Sequence, residues 1–180
     1  EPQLSKEQIQ RLYHDFAAAF ASRPFDDVLA EVRAAVRQYY ACYPFLLQMC
    51  VLYLNHFPMA KEPGEAQALL AEAEELCAHI LSNCKSVSLC ADAASMKAIL
   101  GLQLGKADDV IAVLEPMQDP LRLSRQDDST LIQAYLLAGK TEQAIDQTQI
   151  SIYLNLLALV SVSGLYLSVN GGNRASCEET

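Results

Sequence analysis

Apolar residues recur every three or four positions along most of this chain, and no stretch alternates with period two over a useful length. That spacing lines one face of a helix with apolar side chains, so the pattern predicts an all-α protein. Ile9, Leu12, Tyr13, Phe16 and Phe20 mark a first helix behind Ser5 and Glu7, broken by Ser22-Arg23-Pro24. Phe25, Val28, Leu29, Val32, Val36, Tyr39, Tyr40 and Tyr43 mark a second. Asp26 and Asp27 favour its N-terminus by opposing the helix dipole, and Pro44 is expected to end or kink it. An almost wholly apolar third piece, PFLLQMCVLYL, runs to about Phe57. After a turn over 61–64, a fourth helix covers 65–84 with Leu69, Leu70, Ala73, Leu76, Cys77, Ile80 and Leu81 inward. Ser86 or Ser88 caps a fifth that reaches Leu104, and 106–114 forms the sixth. A loop opens at Pro116 and Asp119-Pro120 and extends to Gln126. Asp127 or Asp128 caps the seventh helix, and Thr141 caps a long eighth that bends or breaks near Gly164, before a turn over 170–173.

Two of these helix ends are nearly the same sentence. GKADDVI at 105–111 returns as GKTEQAI at 139–145, so Gly105 falls on Gly139, Lys106 on Lys140 and Asp108 on Glu142 at an offset of 34. That offset is the period of the tetratricopeptide repeat, a helix–turn–helix unit that cannot bury its apolar stripe without neighbours. In this reading Gly closes the first helix of each unit in left-handed geometry. A small residue, Val110 or Ala144, then lets the helices pack closely. Two departures stand against it: the chain has no Trp, and Thr148 occupies a usually bulky position. The alternative is two unrelated hairpins that share a Gly-Lys turn. The repeat reading predicts one helical-repeat domain over 1–180, a tetratricopeptide-like array of about eight antiparallel helices in a right-handed superhelix.

Composition narrows the function. Apolar residues make up 52% and charged residues 19%, the balance of a folding chain. The net charge is −9 and the 13 basic residues are scattered, which excludes a direct grip on nucleic acid. The six cysteines contain no C-x-x-C pair, and they read as small buried hydrophobes in a reducing cytoplasm. Cys77-Ala-His79 lacks two further ligands at suitable spacing, so neither a metal nor another cofactor is expected.

Between Asp146 and Arg174 there is no charged residue, and 150–169 is long enough to span a bilayer. Ser151, Asn155, Ser161, Ser163, Gly164 and Ser168 interrupt it, and no Lys/Arg cluster sets a topology. No membrane partner is therefore expected. Two readings remain: an internal helix covered by neighbours on all sides, or a self-association face built on Tyr153, Leu156, Leu157 and Val160.

Catalytic signatures are missing. There is no G-x-S-x-G, Walker loop, G-x-G-x-x-G or H-E-x-x-H, and His14, His56 and His79 are far apart, so the chain is not expected to be an enzyme. A stacked repeat array is concave on one side, lined by the first helix of each pair. Counting from the two glycines puts Ser95, Gln103, Ser129 and Gln133 on that wall. Gln48 and Asn55, seven apart on the earlier apolar helix, extend it. Amide side chains offer both donors and an acceptor to a peptide backbone. Tyr39, Tyr40, Tyr43 and Tyr53 gather around Pro44, either packing at the core edge or stacking on a ligand.

YYACYPFLLQMCVLYLNH (39–56), the two Gly-Lys turns and QTQISIYLNLLALV (147–160) resemble the C-terminal helical region of bacterial XRE-type helix-turn-helix regulators. The resemblance runs from about Leu4 to the end, and the layout is similar to the peptide-pheromone regulators of Gram-positive bacteria. It implies a cytoplasmic sensor that forms a homodimer, binds a peptide or small ligand, and meets DNA only through an N-terminal domain outside these residues. Both ends of the chain read as interior positions of a longer protein. A free-standing tetratricopeptide scaffold for protein partners is the alternative.

Overall fold

The computed structural model describes residues 3–115 and 125–170. All regular structure in them is helical, as the spacing predicts. Contacts divide the chain into two compact units, Glu1–Pro116 and Met117–Thr180.

The first unit holds α1 (Lys6–Ser22), α2 (Phe25–Gln38), α3 (Tyr43–His56), a 3-10 turn (Phe57–Met59), α4 (Pro63–Asn83), α5 (Val87–Gln103) and α6 (Ala107–Leu114). Ser5 opens α1 with a reciprocal cap. Its hydroxyl accepts from the Gln8 amide, and the Gln8 side chain accepts from the Ser5 amide at 2.8 Å. Pro44 does not end α2. That helix stops at Gln38, and Pro44 lies in the first turn of α3, where a missing N–H costs nothing. Pro63 likewise starts α4, so the expected turn over 61–64 is two residues shorter.

α3 is the centre of the unit. It packs on α1, α2, α4 and α5, which explains a helix apolar on every side. Phe45, Leu46, Met49, Cys50, Leu52 and Tyr53 are fully buried. The α4 face follows the predicted set except Leu81, which is exposed.

A polar cluster ties three helices together at the edge of this core. Arg33 on α2 pairs with Glu72 on α4 at 2.8 Å, and the Tyr53 hydroxyl on α3 donates to Glu72 at 3.3 Å. Burial, and then the Glu72 carboxylate, push the Tyr53 phenol well above its usual range. A raised folded value means the neutral phenol's contribution is complete below the unfolded pKa of about 10 and is lost as pH rises past it. Stability measured by urea titration is therefore expected to fall as pH rises above about 10. Tyr53→Phe should flatten that fall, at a cost of about 1 kcal/mol at pH 7 for the lost hydrogen bond. An unchanged slope in the variant would remove Tyr53 as its source.

The second unit holds α7 (Arg125–Leu137) and α8 (Thr141–Asn170). Asp127 and Asp128 lie inside the first turn of α7 rather than before it. α8 runs without interruption through Gly164, because no packed neighbour bends it there. The loop at 116–124, the turn after Asn170 and Cys177 fall outside the described residues.

The two Gly-Lys turns have the same geometry. Gly105 and Gly139 sit at φ 72° and 73°. The Lys106 amide donates to Gly101 and the Lys140 amide to Tyr135, both at 2.8 Å, while Gly105 and Gly139 donate to Leu102 and Leu136. These are paired Schellman closures, in which left-handed glycine lets two orphan helix carbonyls find donors. Gly105→Ala and Gly139→Ala are each expected to cost about 1–2 kcal/mol, and the Asn variants less, because Asn tolerates this region better. Equal losses for Ala and Asn in urea titrations would contradict a conformational origin.

The close approach in the first hairpin comes from a different residue than expected. Gly101, not Val110, is the small partner: a Cβ added to Gly101 would lie 2.7 Å from the Val110 side chain. At the offset of 34 these positions become Tyr135 and Ala144, both buried. Bulk has changed places between the two helices of the hairpin.

Candidate functional site

Two features of the structure have the chemistry to meet another molecule. The first is α8. Its opening turns pack on α7 and bury Ala144 and Gln147. From Ile150 onward no described residue of its own unit covers it. Twelve large apolar side chains between Ile150 and Val169 are each at least 42% exposed, on every face of the helix. Within the second unit, α7 therefore does not make it the internal helix wrapped by neighbours, one of the two expectations. An all-round apolar pattern signals burial without saying by what, and the described residues of the second unit do not supply it. Tyr153 (61%), Leu156 (56%), Leu157 (47%) and Val160 (61%) are all in the exposed set.

Five polar side chains of α8 bond back to the helix's own preceding turn. Thr148 donates to the Ala144 carbonyl at 2.6 Å, Asn155 to Ser151 at 2.8 Å, Ser161 to Leu157 and Ser168 to Gly164 at 2.9 Å, and Asn170 to Tyr166 at 3.0 Å. A hydroxyl bonded to the preceding turn leaves no donor stranded when water is removed, and an amide so bonded keeps fewer groups to desolvate. α8 can therefore be covered by an apolar surface at little polar cost. Ile132 and Leu136 on α7 extend the surface, forming with Ala144, Ile145 and Thr148 a shallow apolar groove of about 190 Å³.

The second feature is a groove of about 430 Å³ in the first unit, between α1, α3 and α5. Leu4, Ile9, Leu47 and Leu89 form an apolar floor continuous with the core. Lys6 and Gln10 rim it from α1, Gln48 from α3 and Asp92 from α5. Neither Lys6 nor Asp92 takes part in any ion pair among the described residues. Of the residues expected to line a ligand wall, Gln48 is here. Asn55 instead donates to the Tyr13 hydroxyl at 3.0 Å, fastening α3 to α1. Ser95 and Gln103 lie on α5 outside this lining, and Ser129 and Gln133 belong to the second unit. Lys6, Gln10 and Asp92 were not singled out by sequence reasoning. They come from helices far apart in the chain, and nothing in either local pattern announces the other.

Cys50, Cys77, His56 and His79 have structural partners. Cys50 and Cys77 lie 3.6 Å apart in the core, the Cys50 thiol donating to the Ala73 carbonyl. The hydrogen bond to Cys77 and burial push the Cys50 thiol well up, away from a nucleophilic thiolate. His79 stacks on Tyr40 at 4.1 Å and faces the Tyr40 carbonyl and Asn83 through its two ring nitrogens. His56 stacks on Phe20 and faces the Leu52 carbonyl at 2.8 Å. Of the tyrosines around Pro44, Tyr40 and Tyr43 thus pack against His79 and Tyr39 against Phe45, while Tyr53 is buried in the core. No group of three or more His, Cys, Asp or Glu among the described residues could hold a metal ion. Lys106 reaches back to Glu74, joining the start of α6 to α4. No protein-family model, no curated protein and no solved structure matches this chain.

Proposed function

We propose that this chain is a protein-interaction module that pairs with a second copy of itself through α8. In the fuller form of this reading it is the sensing and dimerisation region of a bacterial transcriptional regulator of the XRE-type group it resembles. The observation that carries it is the uncovered apolar length of α8. The largest apolar patch on a typical monomer is about 300–600 Å². α8 offers on the order of 1,000 Å², above the ~800 Å² per partner of a standard interface. The duplicated Schellman turns support a tetratricopeptide-like array, in which each hairpin relies on neighbours for its core.

A bilayer is the other apolar medium to weigh, since α8 is long and apolar enough to cross one, with a mean hydropathy of 1.8 over its best window. Charge favours the protein partner. No Lys or Arg stands between Lys140 and Arg174, and the chain carries −9 overall, so an anionic lipid surface repels it. DNA contact, in this reading, belongs to a helix-turn-helix domain outside these 180 residues. The test is to fuse the chain behind a monomeric DNA-binding domain whose operator binding needs pairing. Operator binding is expected to appear with the fusion and to vanish with Leu156→Glu/Val160→Glu. A fusion no better than the isolated DNA-binding domain would sink the regulator reading.

A further inference from the structure

The cysteines among the described residues divide by depth. Cys42, Cys50 and Cys77 are buried in the core of the first unit, closed to reagents in water. Cys84 and Cys90 are half-buried and flank the turn between α4 and α5. Cys84 ends α4, its amide donating to the Ile80 carbonyl at 2.8 Å, and Cys90 lies near the start of α5. The turn folds these two side chains together. The Cys90 thiol donates to the Cys84 carbonyl at 3.4 Å, and the two side chains also hydrogen-bond to each other. The Cys84 sulfur accepts from the Ser86 amide at 3.4 Å, a bond that strengthens when the sulfur is a thiolate. The two sulfurs are therefore neighbours, partly open to water and not joined.

We propose that Cys84 and Cys90 are a modification site, a dithiol that a low-molecular-weight disulfide such as glutathione disulfide converts to an intramolecular disulfide. The Cys84 thiolate attacks one sulfur of the reagent, forming a mixed disulfide and releasing one glutathione thiolate. The Cys90 thiolate then attacks the Cys84 sulfur, forming the Cys84–Cys90 bond and releasing the second glutathione. The chain gives up two electrons and two protons, and the reagent takes both as two thiols. Burial, and then the Cys84 sulfur beside it, raise the Cys90 thiol, so Cys84 attacks first. In the mixed disulfide the Cys84 sulfur carries no charge, which removes its hold on Cys90. The new bond closes a loop over 85–89 and clamps the end of α4 to the start of α5. It is independent of pairing through α8.

The test exposes the 180-residue chain, carrying Cys177→Ser so that only described cysteines remain, to glutathione disulfide, followed by acid quench, intact mass and peptide mapping. The product is expected to be lighter by two hydrogens, to hold no glutathione, and to map to a Cys84–Cys90 bond that dithiothreitol reopens. Cys42, Cys50 and Cys77 should react at least about tenfold more slowly in the native chain. Cys90→Ser is expected to stop at a mixed disulfide on Cys84, and Cys84→Ser to slow the first adduct about tenfold. Serine is close to cysteine in size and both positions are half-buried, so these variants are expected to fold, which circular dichroism checks. The mapping of the unsubstituted pair stands without them. Stable glutathione adducts on both sulfurs, a bond between Cys50 and Cys77 or between two chains instead, or no reaction in the native chain would overturn the proposal.

Discussion

Leu156→Glu combined with Val160→Glu is expected to abolish self-association, shifting the dissociation constant by more than 100-fold. Leu156 and Val160 lie four apart, on one side of α8, and both are more than half exposed in the single chain. A carboxylate introduced at an apolar interface must be desolvated without a partner, which costs several kcal/mol per charge. Both side chains are exposed among the described residues of their unit, so the melting curve of each unit is expected to hold its shape. Helix content should also be unchanged, since Glu is a good helix former. Sedimentation velocity on wild type and variant reads the first quantity and circular dichroism the second. A variant that still pairs would place the contact elsewhere. A variant that unfolds would mean α8 is covered within the chain after all.

Gly101→Ala is the second large effect, and it is a stability effect. An Ala for Gly in a helix interior ordinarily stabilises by about 0.5–1 kcal/mol. Here the new methyl would lie 2.7 Å from Val110 Cγ2, and a β-branched valine cannot swing away freely. Overpacking of this kind costs roughly 1–3 kcal/mol, so a net loss of about 1–2 kcal/mol is expected in urea denaturation. Val110→Ala should rescue the variant, because it removes the atom in the way. The double variant is then expected to lose at least ~1 kcal/mol less than the two single losses added together. Additive losses would mean that α5 and α6 do not approach each other at this point.

The helices themselves were largely legible. α1, α2 and α4 each carry one apolar face behind a start signal, and their boundaries fall within a few residues of the pattern. Pro44 misled because proline both breaks a helix and starts one, and only the backbone shows which. The Gly-Lys recurrence predicted its own local geometry, since a glycine just past a helix end takes the left-handed conformation of the closure without a Cβ penalty. Val110 was misread as the small partner because the facing residue, Gly101, lies a helix away. The directionless pattern of α8 was beyond reading: with apolar residues on all sides, nothing points toward a neighbour or away from one. The groove was equally hidden, because Lys6 and Asp92 meet across a floor built by α3 from a third part of the chain.

The central claim is that α8 is covered by a second copy. Sedimentation equilibrium on the 180-residue chain, without detergent and across micromolar concentrations, measures this most directly, alongside flotation with vesicles of neutral and of anionic lipid. A reversible dimer that stays out of both kinds of vesicle is expected. A monomer at every concentration, or a chain that floats with the vesicles, would contradict it.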